Sequence, residues 1–177
     1  MLRVNRILCD ILATALEFAT APSGKVLQVV STTKTDTFTL STGSTTFTDV
    51  TGLSASITPS SASNKIWVIF AVNVSNTVGS ILQLKLIRAS TAISIGDTAG
   101  SRSRSTVGNY NGVGNDAHIQ TMASNFLDSP NTTSATTYKI QIATENATMY
   151  VNRNARDNDA VGEGRFTSVI TLMEIAA

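Results

Sequence analysis

The chain is short of the residues from which most active sites are built. It has one cysteine, Cys9, and one histidine, His118. A single thiol rules out an intrachain disulfide and any zinc site that needs several cysteines. Set in an apolar run, Cys9 reads as a small hydrophobe. A catalytic triad or dyad has one possible base, and His118 lies in Ala117-His118-Ile119-Gln120, where alternation pairs it with Gln120 rather than the apolar face. It reads as an ordinary exposed strand histidine.

Charge is scarce too, at 14% of residues with a net charge of +1. Phosphate backbones and anionic membranes are bound by concentrated basic surfaces, so neither nucleic acid nor a membrane is an expected partner. No apolar run reaches the ~18 residues that span a bilayer. Residues 1–21 imitate a secretory leader, with Arg3 and Arg6 ahead of an apolar stretch and Ala19-Thr20-Ala21 as a mock cleavage site. Asp10 and Glu17 break the apolar part and Pro22 follows the would-be cut, so the leader reading fails.

The motifs of common chemistries are missing or mis-spaced. Gly24-Lys25 lacks the preceding glycines and the following hydroxyl of a phosphate loop. Asp157-Asn158-Asp159 imitates a calcium loop, but no closing glutamate stands at the spacing such a loop requires. Asp97, Asp116, Asp128, Asp157, Asp159 and Glu163 fall in or beside predicted turns, which favour such side chains for backbone reasons. A glycosidase pair has no specific support. No catalytic residue, cofactor or metal site is assigned. Three glycosylation sequons, at Asn73, Asn131 and Asn146, are what a chain rich in Ser and Thr yields by chance.

What the chain has in quantity is Ser and Thr, roughly a quarter of it. Small hydroxyls suit exposed strand faces and turns. Only residues 4–18 suggest a helix: Val4, Leu8, Ile11, Ala15 and Phe18 fall at steps of four and three and make one apolar seam, a candidate assembly seam. Pro22-Ser23-Gly24 reads as a hinge, dividing an anchoring segment (1–22) from a head domain (23–177).

Beyond the hinge the period switches to two. Strands are predicted at 26–30, 35–40, 45–50, 53–58, 65–75, 81–88, 92–95, 117–127, 137–144, 148–152 and 166–175. Ser41-Thr42-Gly43-Ser44 between the second and third reads as a hairpin turn. Residues 65–72 and 166–175 are apolar on both faces and so predict central strands covered on both sides. About ten short strands, turn signals every ten residues and no crossover helices predict an all-β fold, an antiparallel sandwich or jelly roll. The segment 101–116 mixes Arg102, Arg104, Tyr110, Asn111, Asn115 and Asp116 in a glycine-rich loop, a composition suited to recognising a glycan or a protein.

Five blocks of the chain, SGKVLQVVSTTKTDTF (23–38), ITPSSASNKIWV (57–68), NFLDSPNTTSATTYKIQ (125–141), YVNRNARDND (150–159) and TSVITLMEIA (167–176), resemble a family of tail-fibre-like bacteriophage virion proteins, many from phages of marine and cyanobacterial hosts. The resemblance covers nearly all of residues 23–177. It implies a non-enzymatic virion structural protein on the particle surface, with a jelly roll of the trimeric tumour-necrosis-factor type. The expected partners are two further copies, other tail or capsid proteins reached through residues 1–22, and a host-surface glycan or receptor. A tail fibre or adhesin and a short capsid fibre or decoration protein stay open. A small glycan-binding or glycan-degrading sandwich is the competing expectation.

Overall fold

Alternation of apolar and polar side chains from Lys25 onward puts one face of each strand inward, and two sheets closing on each other satisfy all of those faces at once. The computed structural model describes residues 23–41, 43, 45–77, 79–111 and 116–177. The seam Val4, Leu8, Ile11, Ala15 and Phe18 lies outside the described residues, as does Asn115.

Eleven strands follow in order: β1 Val26–Lys34, β2 Phe38–Leu40, β3 Thr48–Ile57, β4 Lys65–Asn76, β5 Ser80–Arg88 and β6 Thr91–Ile93, then β7 Val107–Asn111, β8 Gln120–Asp128, β9 Thr136–Thr144, β10 Met149–Val151 and β11 Ser168–Ile175. Every pairing is antiparallel. In the first sheet β4 is the centre: β8 pairs along one edge, and β11 followed by β10 along the other. Outside these lie β1, on β11, and β2, on β10. The second sheet runs β3–β9–β5, with β7 and β6 end to end on the far edge of β5. The fold is an all-β antiparallel sandwich, as expected.

Between the sheets lie Leu53, Ile57, Ile66, Val68, Phe70, Val72, Leu82, Leu84, Leu86, Tyr138, Ile140, Ile142, Met149, Ile170 and Leu172, all almost fully buried. At one end of this core Ile66 has Glu174 beside it on β11 and Asp128 beside it on β8, both inward-facing carboxylates. Glu174 accepts hydrogen bonds from the Ser60 backbone and hydroxyl (both 2.7 Å), Asn64 Nδ2 (2.6 Å) and Gln28 Nε2 (2.5 Å). Burial pushes its carboxyl upward, but these donors outweigh it and hold the pKa at about 2. Asp128 takes Arg88 Nη1 on both oxygens (2.8 and 2.9 Å) and the Tyr138 hydroxyl at 2.6 Å. Burial, then that bond, push the Tyr138 hydroxyl upward. At the other end Asn152, fully buried with φ +64, donates to the Lys34 and Asp36 carbonyls and accepts from Ser168 Oγ.

Four expectations change. The segments 35–40 and 45–50 do not form a hairpin: β2 pairs with β10 in the first sheet, and the following segment crosses to the second sheet, where β3 pairs with β9. Residues 48–57 form one strand rather than parts of two, bent at Gly52 (φ +81) where the pairing register shifts. The segment 96–116 contains a strand, β7, paired with β5. Finally, the double burial predicted for 65–72 and 166–175 is not met within one chain. Trp67 is 40% exposed, and Val169, Thr171, Met173 and Ile175 are only half-buried, because the described residues put no second layer over that side of the first sheet.

Candidate functional site: an apolar sheet face and a hollow on the opposite sheet

The outward side of the first sheet is built by register. Val29 on β1, Met173 on β11, Trp67 on β4 and Leu127 on β8 are consecutive cross-strand partners, so four apolar side chains form one row across four strands. The next row, in register, is Ser31, Thr171, Ile69 and Asn125; the one after is Thr33, Val169, Ala71 and Ala123. Val29 is 56%, Leu127 50% and Trp67 40% exposed. None of these twelve positions carries a charge. Solvent-facing sheets normally carry Lys and Glu, so an open, uncharged row of large side chains sets this face apart.

The outward side of the second sheet differs. There β5 presents Ile81, Gln83 and Lys85. Gln83 has Gly108 of β7 on one side and Ala143 of β9 on the other, both in register. Two small neighbours leave a depression, with Gln83 on its floor. The loop between β6 and β7 folds over it. Its neck is tied by Gly96 N to the Ser105 carbonyl, Arg104 Nε to the Gly96 carbonyl (2.6 Å) and Thr106 N to the Leu84 carbonyl. Thr106 Oγ1 also accepts from Leu86 N, filling the gap in the β5 edge between β6 and β7. The result is a hollow of about 780 Å³ lined by Thr45, Ile81, Gln83, Ser101, Arg102, Ser103, Ala143, Thr144 and Glu145. The Gln83 carbonyl oxygen is buried and has no hydrogen-bond partner. Lys85, one pleat further along, packs over the Phe47 ring; burial and then Arg104 lower its pKa.

The predicted recognition residues part company here. Arg102 lines the hollow, and Arg104 stands in the same loop, exposed. Tyr110 is 62% exposed and is the cross-strand partner of Ile81, so its ring stands beside the hollow. Asn111 is instead buried on the inward face of β7, donating to Asn76 Oδ1 at 2.6 Å: a packing residue, because strand alternation turns it away from Tyr110. Asp116 is exposed, and its carbonyl accepts from Ala155 and Arg156. Thr45, Gln83 and Glu145 were not foreseen; of these only Gln83 carried a signal, its polar place in an alternating strand. Asp157 forms ion pairs with Arg153 and Arg165. His118 is half-buried just before β8.

No family model matches the chain, and no curated protein matches it significantly. Among solved structures it is similar to a chain of "Structure of infectious bursal disease virus Gx strain", at 16% identity and a TM-score of 0.43. It is likewise similar to a chain of "Structure of infectious bursal disease virus Gt strain", at 14% identity and a TM-score of 0.43. In both cases the likeness covers 88% of this chain and 39% of the other, so the chain spans about two fifths of the length of those it matches.

Proposed function

We propose that this chain is a non-enzymatic structural protein of a bacteriophage particle: a homotrimeric surface appendage, tail-fibre-like or a short capsid fibre, acting by multivalent attachment or reinforcement. The observation that carries the reading is the uncharged row Val29–Met173–Trp67–Leu127 on the open side of the first sheet. A second and third copy laid against that side would cover it, and closed cyclic assemblies are the usual way a chain buries such a face. The resemblance of residues 23–177 to tail-fibre-like virion proteins points the same way and suggests a jelly roll of the tumour-necrosis-factor type. Residues 1–22 would join the head to the particle, and three weak sites on one trimer would act as one strong one.

The test is the mass of the purified protein in solution, full-length and lacking residues 1–22. Two trimers would assign the symmetry to the sandwich; a trimer of the full-length form alone would assign it to the segment ahead of it. Monomers in both cases would overturn the appendage. A free glycan-binding module is the reading that would then stand, because the hollow around Gln83 needs no second copy. A glycan-degrading enzyme would need a second carboxylate opposite Glu145, and among the described residues the lining supplies Glu145 alone.

A further inference from the structure

We infer that the hollow on the second sheet is a binding site for an acidic saccharide, a hexuronate-type unit with one carboxylate and several hydroxyls. The floor carries the Gln83 amide, whose side-chain carbonyl oxygen Oε1 is buried without a partner; a turn of that amide presents it to the hollow. A buried polar atom left without a partner costs stability unless something else completes it. A sugar hydroxyl fits that place, since it donates to Gln83 and can accept from a neighbouring hydroxyl.

The walls add charge of both signs. Among the described residues, Arg102 on one side makes hydrogen bonds only to the Ala99 carbonyl, and Glu145 on the other has no ion-pair partner. Arg104 and Lys85 stand close enough to influence one another, and neither meets a carboxylate among the described residues. Arg102 and Arg104 share the loop over the hollow and Lys85 stands near Arg104, in a chain whose net charge is only +1. An anionic group is drawn to that side, where Arg102 can hold a carboxylate in a two-point grip, while Glu145 accepts from ring hydroxyls. Beside the hollow the exposed Tyr110 ring, with Ile81 as its in-register neighbour, offers an apolar face to the C–H side of a sugar ring.

The site is independent of assembly in its geometry, since it lies on the sheet opposite the uncharged face and a trimer closed there leaves it open. As the partner of a surface appendage it rests on the reading above, and the two are tested apart. The experiment is an NMR titration of the full chain with sodium glucuronate, glucose and sodium acetate as separate probes, with Gln83→Leu, Arg102→Ala and Tyr110→Ala variants alongside. Glucuronate is expected to shift Ile81, Gln83, Tyr110 and Ala143 in one saturable process. Glucose should bind about tenfold more weakly for want of the Arg102 contact, and Gln83→Leu and Arg102→Ala should each weaken glucuronate about tenfold. All three variants are judged after far-UV circular dichroism shows an unchanged fold. No saturable shift at these residues overturns the inference. So does an equal response to acetate, which would make the hollow a simple anion site, or equal binding of glucose and glucuronate. A monomer that binds glucuronate in this way sustains the site while removing the appendage.

Discussion

The sharpest quantitative consequence of the fold concerns Glu174. Its carboxyl, ordinarily near 4.5, is held at about 2 by four hydrogen bonds that outweigh its burial. A group whose folded pKa is depressed stabilises the fold above its unfolded pKa and loses that contribution as pH falls towards the folded value. The contribution is therefore complete above pH 4.5 and fades towards about pH 2. At roughly 1.4 kcal/mol for each unit of pKa it amounts to about 3 kcal/mol, a large share of an ordinary domain's stability.

Glu174→Gln isolates the effect. The amide oxygen can keep Ser60 and Asn64, but the amide nitrogen then faces Gln28 Nε2, donor to donor. Gln28 cannot simply turn over, because its Nε2 also donates to the Thr58 carbonyl at 2.8 Å. The substitution is expected to cost about 2–3 kcal/mol near neutral pH. Urea unfolding followed by far-UV circular dichroism, at fixed protein concentration and in steps down to about pH 2, checks both parts. The wild type should lose its advantage over the variant as pH falls below 4.5. Two curves that run parallel across that range would refute the assignment of the acid-sensitive stability to this carboxylate.

Substitutions at three other residues test the remaining polar pins. Asp128→Ala should cost about 3 kcal/mol in urea unfolding, because it leaves Arg88 and the buried Tyr138 hydroxyl without their acceptor. Since the folded Tyr138 pKa is raised, its contribution is present below the ordinary value of 10.0 and lost as pH rises past it; Tyr138→Phe should remove that alkaline sensitivity, read in the same assay. Asn152→Asp should be as damaging as Asn152→Ala, about 3 kcal/mol each, because a carboxylate tolerates the left-handed backbone but cannot donate to the Lys34 and Asp36 carbonyls; a well-tolerated Asp would show that only the backbone matters.

How far the molecule could be read from its residues depends on where the deciding information sits. β4 and β5 are plain in the chain, because Ile66, Val68, Phe70, Val72, Leu82, Leu84 and Leu86 alternate without interruption and each strand's own pattern fixes its buried face. β7 was not visible: Val107-Gly108-Asn109-Tyr110-Asn111 is poor in strand-favouring residues, and pairing with β5 holds it extended. The Ser41–Ser44 turn residues mark a change of direction, but not that the chain leaves one sheet for the other; that is set by which faces must meet in the core. Of the hollow, Arg102 and Tyr110 stood out as loop residues able to bind. The depression itself arises from Gly108 and Ala143 flanking Gln83, three positions from three strands, and no local pattern brings them together. The anchoring segment stays an expectation, since residues 4–18 lie outside those described.

The apolar row tests whether the chain's two faces have divided the work of assembly and recognition. Val29 and Leu127 project from the sheet with half or more of their surface in solvent, so within one chain they contribute little to the core. The pair Val29→Thr and Leu127→Ser is therefore expected to leave the fold of a single subunit within about 1 kcal/mol of the wild type. At a subunit interface the same side chains are fully desolvated, and truncations there cost about 2 kcal/mol or more, about thirtyfold in a dissociation constant. Sedimentation equilibrium over a range of concentrations separates the two. An assembly that falls apart while circular dichroism and unfolding of the subunit stay put assigns the row to the interface. An unchanged mass at every concentration would mean that this face is not where copies meet, and the argument from its uncharged, in-register surface would fail with it.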